Sequence, residues 1–167
     1  TNFRIMWDGH KLTYGGRTDI STFSKNQIDF IEENLVNEEI EIVFEQKFQE
    51  KEVMVYGELF GEKIQTGELY VENGGMAFKV FDIEIDNVFL KYDDMCVLAN
   101  ELNYDFVPLV LEGTVEEAVK FVFETDISTF SKAKLEGLVG KPLGDFRDRL
   151  GKRIVIKIKK RDLLKGQ

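Results

Sequence analysis

Lys157-Ile158-Lys159 is the pair of side chains in this sequence best placed to do chemistry. Strand alternation puts both ammonium groups on one face, with Cα atoms roughly 7 Å apart. Two lysines side by side repel unless an anion lies between or above them. A phosphate chain satisfies both and accepts their charge during phosphoryl transfer. The same pair can also serve as the charged guard of an exposed edge strand. Two carboxylates stand in glycine-flanked settings: Glu58 in Tyr56-Gly57-Glu58-Leu59-Phe60-Gly61, and Glu136 in Glu136-Gly137-Leu138-Val139-Gly140. Such glycines permit a tight turn or the close approach of a ligand. Glu58 is then either a ligand contact or a solvent-facing turn residue. Glu136 can hold Mg2+ or a ribose hydroxyl. Glu112-Gly113-Thr114-Val115 looks almost the same, but it leads into a helix N-cap, which makes Glu112 a decoy. Arg17 follows Gly15-Gly16, where a guanidinium after a flexible turn can clamp a phosphate. Phe81, inside Phe78-Lys79-Val80-Phe81-Asp82-Ile83, can stack on a base or fill the core.

Other chemistries are missing. There is no GxxxxGK[ST] phosphate loop and no Gly-x-Ser-x-Gly elbow. His10 is the only histidine and sits in an expected turn, so it reads as a surface residue without a triad. Cys96 is the only cysteine. It excludes an internal disulfide, is a poor metal ligand alone, and fits a reducing cytosol as a half-buried small apolar residue.

The elements that must position these residues can be read in part. Phe3 to Trp7, Asp8-Gly9 and Lys11 to Tyr14 read as a β-hairpin. Ser24 with Gln27 makes a capping box, after which Ile28, Ile31 and Leu35 share a helical face. Residues 40–48 suit either period, and helix is the reading adopted. Val53 to Tyr56 reads as a short strand ending at Gly57, and Met76 to Ile85 as another. A helix is expected from Asp93-Asp94 through Leu102. Thr114 and Glu117 make a second capping box, leading into Val115, Ala118, Val119 and Val122. Arg153 to Lys159 alternates strictly, with Ile154, Ile156 and Ile158 on one side. The heptapeptide Asp19 to Lys25 recurs exactly as Asp126 to Lys132. Its flanks differ, so it is not a solenoid repeat, and both copies read as Ser-capped helix entrances.

Length and composition set outer bounds. The chain has 167 residues, 43% of them hydrophobic and 14 of them Phe, enough for a sizeable core. With two prolines and no Ser/Gly-rich linker, a single domain over 1–167 is expected. No apolar run approaches the roughly 20 residues of a membrane span. The start has no signal-peptide pattern and no Met, so a chain trimmed upstream is expected. The net charge of −9 argues against a general nucleic-acid binder, but the charge is uneven. From Arg147 to Gln167 there are nine Lys/Arg against Asp148 and Asp162, a basic face at the C-terminal end.

Taken in order, these features resemble the covalent nucleotidyltransferases: RNA ligases, DNA ligases and mRNA capping enzymes. The fit is to the phage-type, nick-sealing ATP-dependent RNA ligases. Thr1-Asn2-Phe3 is similar to the tail of their first motif, and Gly16-Arg17-Thr18 to the arginine motif that follows. Tyr56 to Gly61 resembles the third motif, and Phe78 to Ile83 the aromatic motif that stacks on adenine. Glu136-Gly137-Leu138-Val139 resembles the fourth and Ile156 to Lys159 the fifth. The lysine that takes AMP in that family would lie five residues before Asn2. No internal lysine replaces it: Lys11 is followed by Leu12-Thr13-Tyr14, without the glycine of KxxG.

The resemblance implies an α+β fold. Antiparallel sheets would form a nucleotide cleft flanked by helices, the ATP-grasp-like adenylyltransferase domain of nucleic-acid ligases, truncated at its N-terminus. It implies ATP (bound as AMP) and Mg2+ or Mn2+ as cofactors. Nicked or broken RNA would be the partner of a monomer working in the cytoplasm. A lysine would attack the α-phosphate of ATP, AMP would pass to an RNA 5′-phosphate, and a 3′-hydroxyl would displace it. Lys157 and Lys159 would contact the α-phosphate, and Lys157 would lower the nucleophile's pKa by like charge. Glu58 would bind the ribose hydroxyls, Glu136 would help hold the metal, and Phe81 would stack on adenine. Arg17 and Asn2 would serve the surroundings of the phosphate and nucleophile. Without the lysine, residues 1–167 would bind ATP weakly at most. A DNA ligase or capping enzyme is the alternative within the superfamily. A non-catalytic nucleotide- or RNA-binding module, or an acidic protein-interaction domain, is the alternative outside it.

Overall fold

The computed structural model describes residues 1–61, 75–128 and 134–163. The chain forms two compact units, Thr1–Val107 and Pro108–Gln167. The first contains β1 (Asn2–Trp7), β2 (Leu12–Gly16), α1 (Lys25–Asn34), α2 (Glu38–Phe48), β3 (Val53–Gly61), β4 (Met76–Ile85), β5 (Val88–Phe89), α3 (Tyr92–Glu101) and β6 (Asp105–Phe106). The second contains α4 (Val115–Glu124), β7 (Gly137–Gly140), β8 (Ile156–Lys159) and α5 (Lys160–Leu163). This is the α+β, mainly antiparallel architecture expected. No helix among the described residues is long and apolar enough to cross a membrane.

In the first unit the strand order is β2-β1-β3-β4-β5, all antiparallel, and β6 joins β4 in parallel. Period-two alternation sends Phe3, Ile5 and Trp7 of β1, and Val53, Val55 and Leu59 of β3, into one core. Ile31 of α1, Phe44 and Phe48 of α2, and Met95, Leu98 and Ala99 of α3 complete that core. Each such large apolar side chain contributes about 1.5–3 kcal/mol on burial. Two buried polar groups are satisfied: Trp7 Nε1 donates to Gln49 O at 2.9 Å, and Tyr104 Oη to Leu35 O at 2.8 Å. Both capping boxes form, at Ser24/Gln27 and Thr114/Glu117. Residues 38–48 are helical, with Asn37 as N-cap.

Three expectations change. The strand read as ending at Gly57 continues to Gly61. Gly57 is an interior strand residue because the Phe78 ring occupies the space of its side chain: a Cβ there would lie 2.2 Å from Phe78 Cε2. The strand expected from Arg153 is confined to Ile156–Lys159, and Arg153 instead forms an isolated bridge with Arg147. Ile154 is 46% exposed, so the apolar side of this segment is only partly covered. Of the repeated heptapeptide, Ser24 caps α1, whereas Ser131 lies outside the described residues. Lys134, where a Ser131-capped helix would run, pairs with Ile127 as a β-bridge.

Candidate functional site

The face of the first sheet that turns away from the helices carries most of the expected ligand residues of that unit. Cross-strand partners share a face. Asn2 is opposite Glu58, and Glu58 is opposite Lys79, which makes one row of three across β1, β3 and β4. The next row is Arg4, Tyr56 and Asp82, and the one after it Met6, Met54 and Glu84. Glu58 is half-buried in that row. Leu59 N donates to Thr1 O at 2.8 Å, which ties Thr1 to β3.

Phe81 owes its position to a β-bulge. Tyr56 pairs with Asp82 and Gly57 with Val80, so Phe81 is the extra residue of β4. Val80 points into the core, and the half-buried Phe81 beside it turns to the opposite face. Bulges commonly re-aim a side chain next to a site in this way. Below it, Tyr56 Oη donates to Glu84 Oε2 at 2.9 Å. Burial, reinforced by that carboxylate, pushes the Tyr56 pKa up to about 12, so the phenol stays a neutral donor.

Arg17 immediately follows Gly16, the residue paired with Phe3, and is exposed. Its loop is pinned at two points. Asp19 forms an ion pair with Arg4, and Ser21 Oγ accepts from Thr18 N at 3.1 Å. Gly16 leaves room for that fold-back, because a Cβ there would meet Ser21 Cβ at 2.4 Å.

In the second unit, β7 and β8 form a ladder with Val139 opposite Lys157 and Gly137 opposite Lys159. Lys157 and Lys159 therefore share a face, and both are exposed. Glu136 directly precedes the ladder and is exposed, and its carbonyl accepts from Lys160 N at 2.8 Å. Gly137 is required by the close approach of β8, since a Cβ would lie 2.0 Å from Ile158 O. Lys160 Nζ donates to Thr125 O at 2.5 Å and Asp126 Oδ1 at 2.7 Å, tying the end of β8 to the end of α4. That hydrogen bond and the ammonium charge hold the Asp126 carboxyl below its usual range.

Asn2, Glu58 and Phe81 thus come together on one sheet face, with Arg17 one step beyond its β2 edge. Glu136, Lys157 and Lys159 come together on one ladder. Sequence reasoning passed over Arg4, Tyr56 and Lys79. Counting by twos from Asn2 and Glu58 finds Arg4 and Tyr56, but Lys79 needs the register. Among the described residues no three Asp, Glu, His or Cys side chains cluster as a metal cage. Glu136 as a single hard-oxygen ligand suits Mg2+ or Mn2+ shared with phosphate oxygens rather than a closed protein site. Elsewhere in the first unit, an open groove of about 630 Å3 is lined by Lys11, Tyr14, Glu32, Glu38 and Glu41. It contains none of these residues, and its carboxylates would repel phosphate.

Comparison with known proteins matches the model of the RNA ligase family over residues 1–159. No curated protein matches the chain. Among solved structures, the chain is similar to the RNA ligase of Naegleria gruberi. A lysine-to-alanine variant of that ligase with ATP and Mn shows 22% identity and a TM-score of 0.66, with 99% of this chain and 48% of that chain covered. The same ligase with pyrophosphate gives the same four values. A glutamate-to-alanine variant with AMP and Mn gives 21% and 0.65, with 99% and 48% covered. The chain spans about half the length of these structures, which share its fold. With its family model matched over nearly its whole length, the chain belongs to the RNA ligase family.

Proposed function

We propose that residues 1–167 form the adenylyltransferase domain of an ATP-dependent ligase that joins RNA 3′-hydroxyl and 5′-phosphate ends through lysyl-AMP and RNA-adenylate. The observation that carries this reading is the row Asn2–Glu58–Lys79 with Phe81 beside it at the bulge. Phe81 on β4, Glu58 on β3 and Asn2 on β1, with Arg17 just past the end of β2, run across neighbouring strands and suit a base, a ribose and phosphates in that order. Phe81 stacks on adenine. Glu58 accepts from the ribose hydroxyls, a charge-assisted bond stronger than a neutral one. Asn2 and Arg17 orient the phosphates at the β1–β2 edge. Lys157 and Lys159 meet the α-phosphate and neutralise charge as pyrophosphate departs. Glu136 helps hold a divalent ion, which supplies Lewis-acid stabilisation of the phosphoryl oxygens when bound.

Residues 1–167 contain no lysine in a KxxG setting ahead of Arg17. By themselves they would bind ATP weakly at most and form no lysyl-AMP. The ligases of known structure named above were solved with ATP, AMP, pyrophosphate and Mn, which supports the nucleotide and metal assigned here. A cytoplasmic monomer is the state proposed.

The test uses the polypeptide as its gene encodes it, with labelled ATP, Mg2+ or Mn2+, and nicked duplexes carrying RNA or DNA at the break. Lysyl-AMP formation followed by transfer to a 5′-phosphate and sealing at RNA ends is expected. Sealing of DNA ends with no activity at RNA ends would overturn the substrate assignment.

A further inference from the structure

Between β7 and β8 the chain makes a hairpin whose cations the nucleotide reading leaves unused. Ile154 N donates to Phe146 O at 2.8 Å, Arg147 bridges Arg153, and Asp148 N donates to Lys152 O at 2.7 Å. That leaves Arg149-Leu150-Gly151 as a three-residue loop. Gly151 N donates to Asp148 O at 3.0 Å, and Gly151 has φ +77°. This is the hairpin class in which a turn is followed by a left-handed residue, usually glycine. Asp148 Oδ1 accepts from Leu150 N at 2.8 Å and Lys152 N at 2.9 Å, which stiffens the loop from within.

The charges are arranged with equal economy. Arg147 and Arg153 stand opposite each other and would repel. Asp145 lies between them, 2.9 Å from Arg147 Nη2 and 3.9 Å from Arg153 Nε. Asp148 is engaged by backbone N–H groups. The two remaining cations, Arg149 and Lys152, are exposed on either side of Leu150, itself 81% exposed. A rigid tip with two cations and an apolar residue thus projects from a chain of net charge −9. Such a tip is complementary to a phosphate backbone, while the acidic remainder repels one.

We propose that this tip docks on the RNA substrate, with Arg149 and Lys152 each meeting a backbone phosphate and Leu150 lying against the sugar or base between them. The proposal rests on the RNA ligase reading. The hairpin joins the two strands of the Glu136–Lys157–Lys159 ladder. RNA gripped at the tip is therefore anchored to the same unit as the proposed α-phosphate contacts.

The experiment compares the gene-encoded polypeptide with its Arg149→Gln/Lys152→Gln variant and, separately, Leu150→Ser. Lysyl-AMP formation and RNA affinity are measured from 50 to 400 mM salt, using a nicked RNA duplex. Lysyl-AMP formation at the wild-type rate is expected, since neither residue touches the nucleotide. The double variant should lose about 1.5 from the slope of log affinity against log salt, at roughly 0.7–0.9 per phosphate. Referred to 1 M salt, that slope change is about a 30-fold loss of affinity at 0.1 M. Leu150→Ser should weaken binding with no change of slope. An unchanged slope in the double variant, with wild-type RNA binding intact, overturns the docking role. Wild-type protein that adenylylates but has no salt-dependent RNA affinity overturns the RNA reading itself, and the hairpin assignment with it.

Discussion

Asn2 and Glu58 face each other directly across the β1–β3 ladder, with Lys79 on the far side of Glu58. An amide, a carboxylate and an ammonium group are thereby held on three rigid strands, one strand spacing apart. Rigid elements position functional groups more closely than loops do.

If Glu58 accepts from the ribose hydroxyls, Glu58→Ala should raise the KM for ATP by about 10- to 100-fold, the range of a lost charged hydrogen bond at about 1.5–3 kcal/mol. The variant should also lose discrimination between ATP and its 2′- or 3′-deoxy analogues. Steady-state adenylylation with the three nucleotides checks this. Discrimination at the wild-type ratio would remove Glu58 from the ribose site.

Stacking at the bulge is separable from folding, because Phe81 is only half-buried. Phe81→Ala should cost about 1–3 kcal/mol of nucleotide binding, while Phe81→Tyr retains it. Titration calorimetry with ATP reads both. Equal affinity in Phe81→Ala and wild type would show that the ring packs only against protein.

Gly57 offers a test of the scaffold beneath the site. In Gly57→Ala the new methyl would meet Phe78 Cε2 at 2.2 Å and Lys79 O at 2.6 Å. Overpacking of this kind costs roughly 1–3 kcal/mol, so the thermal midpoint should drop by several degrees. An unchanged midpoint would mean that β3 and β4 are not in this register.

These positions show what can be read from sequence and what cannot. The capping boxes at Ser24 and Thr114 were legible because a cap is a bond between residues three apart. The β1–β2 hairpin was legible for the same local reason. Glu58, Glu136, Lys157 and Lys159 stood out through their glycine neighbours or strand alternation. Gly57 misled, because a strand glycine looks like a stop when the ring that fills its place, Phe78, is 21 positions away. The bulge that frees Phe81 depends on β3–β4 register, and Lys79 likewise becomes visible only through its cross-strand partner. In sequence the hairpin tip at Arg149 shows only as part of a basic stretch, since its rigidity comes from Asp148 bonding to backbone N–H groups.

Tyr56 supplies a pH-dependent prediction. Its folded pKa, about 12, lies above the ordinary value of 10, chiefly through burial and then through Glu84. A group whose pKa is raised on folding favours the native state fully below its unfolded pKa, and that contribution is lost as pH rises through the folded value. Urea midpoints of wild type and Tyr56→Phe should therefore differ by a constant amount up to about pH 10, with wild type losing ground between about pH 10 and 12. A difference that stays constant through pH 11.5 would contradict the burial of the Tyr56 phenol and, with it, its bond to Glu84.

The most direct test of the account is the yield of labelled lysyl-AMP from the gene-encoded polypeptide and its Lys157→Ala and Glu136→Ala variants, with folding verified by circular dichroism. The account predicts lysyl-AMP in wild type and none above background in either variant. Wild-type yields of labelled adenylate in a folded Lys157→Ala or Glu136→Ala protein would contradict it.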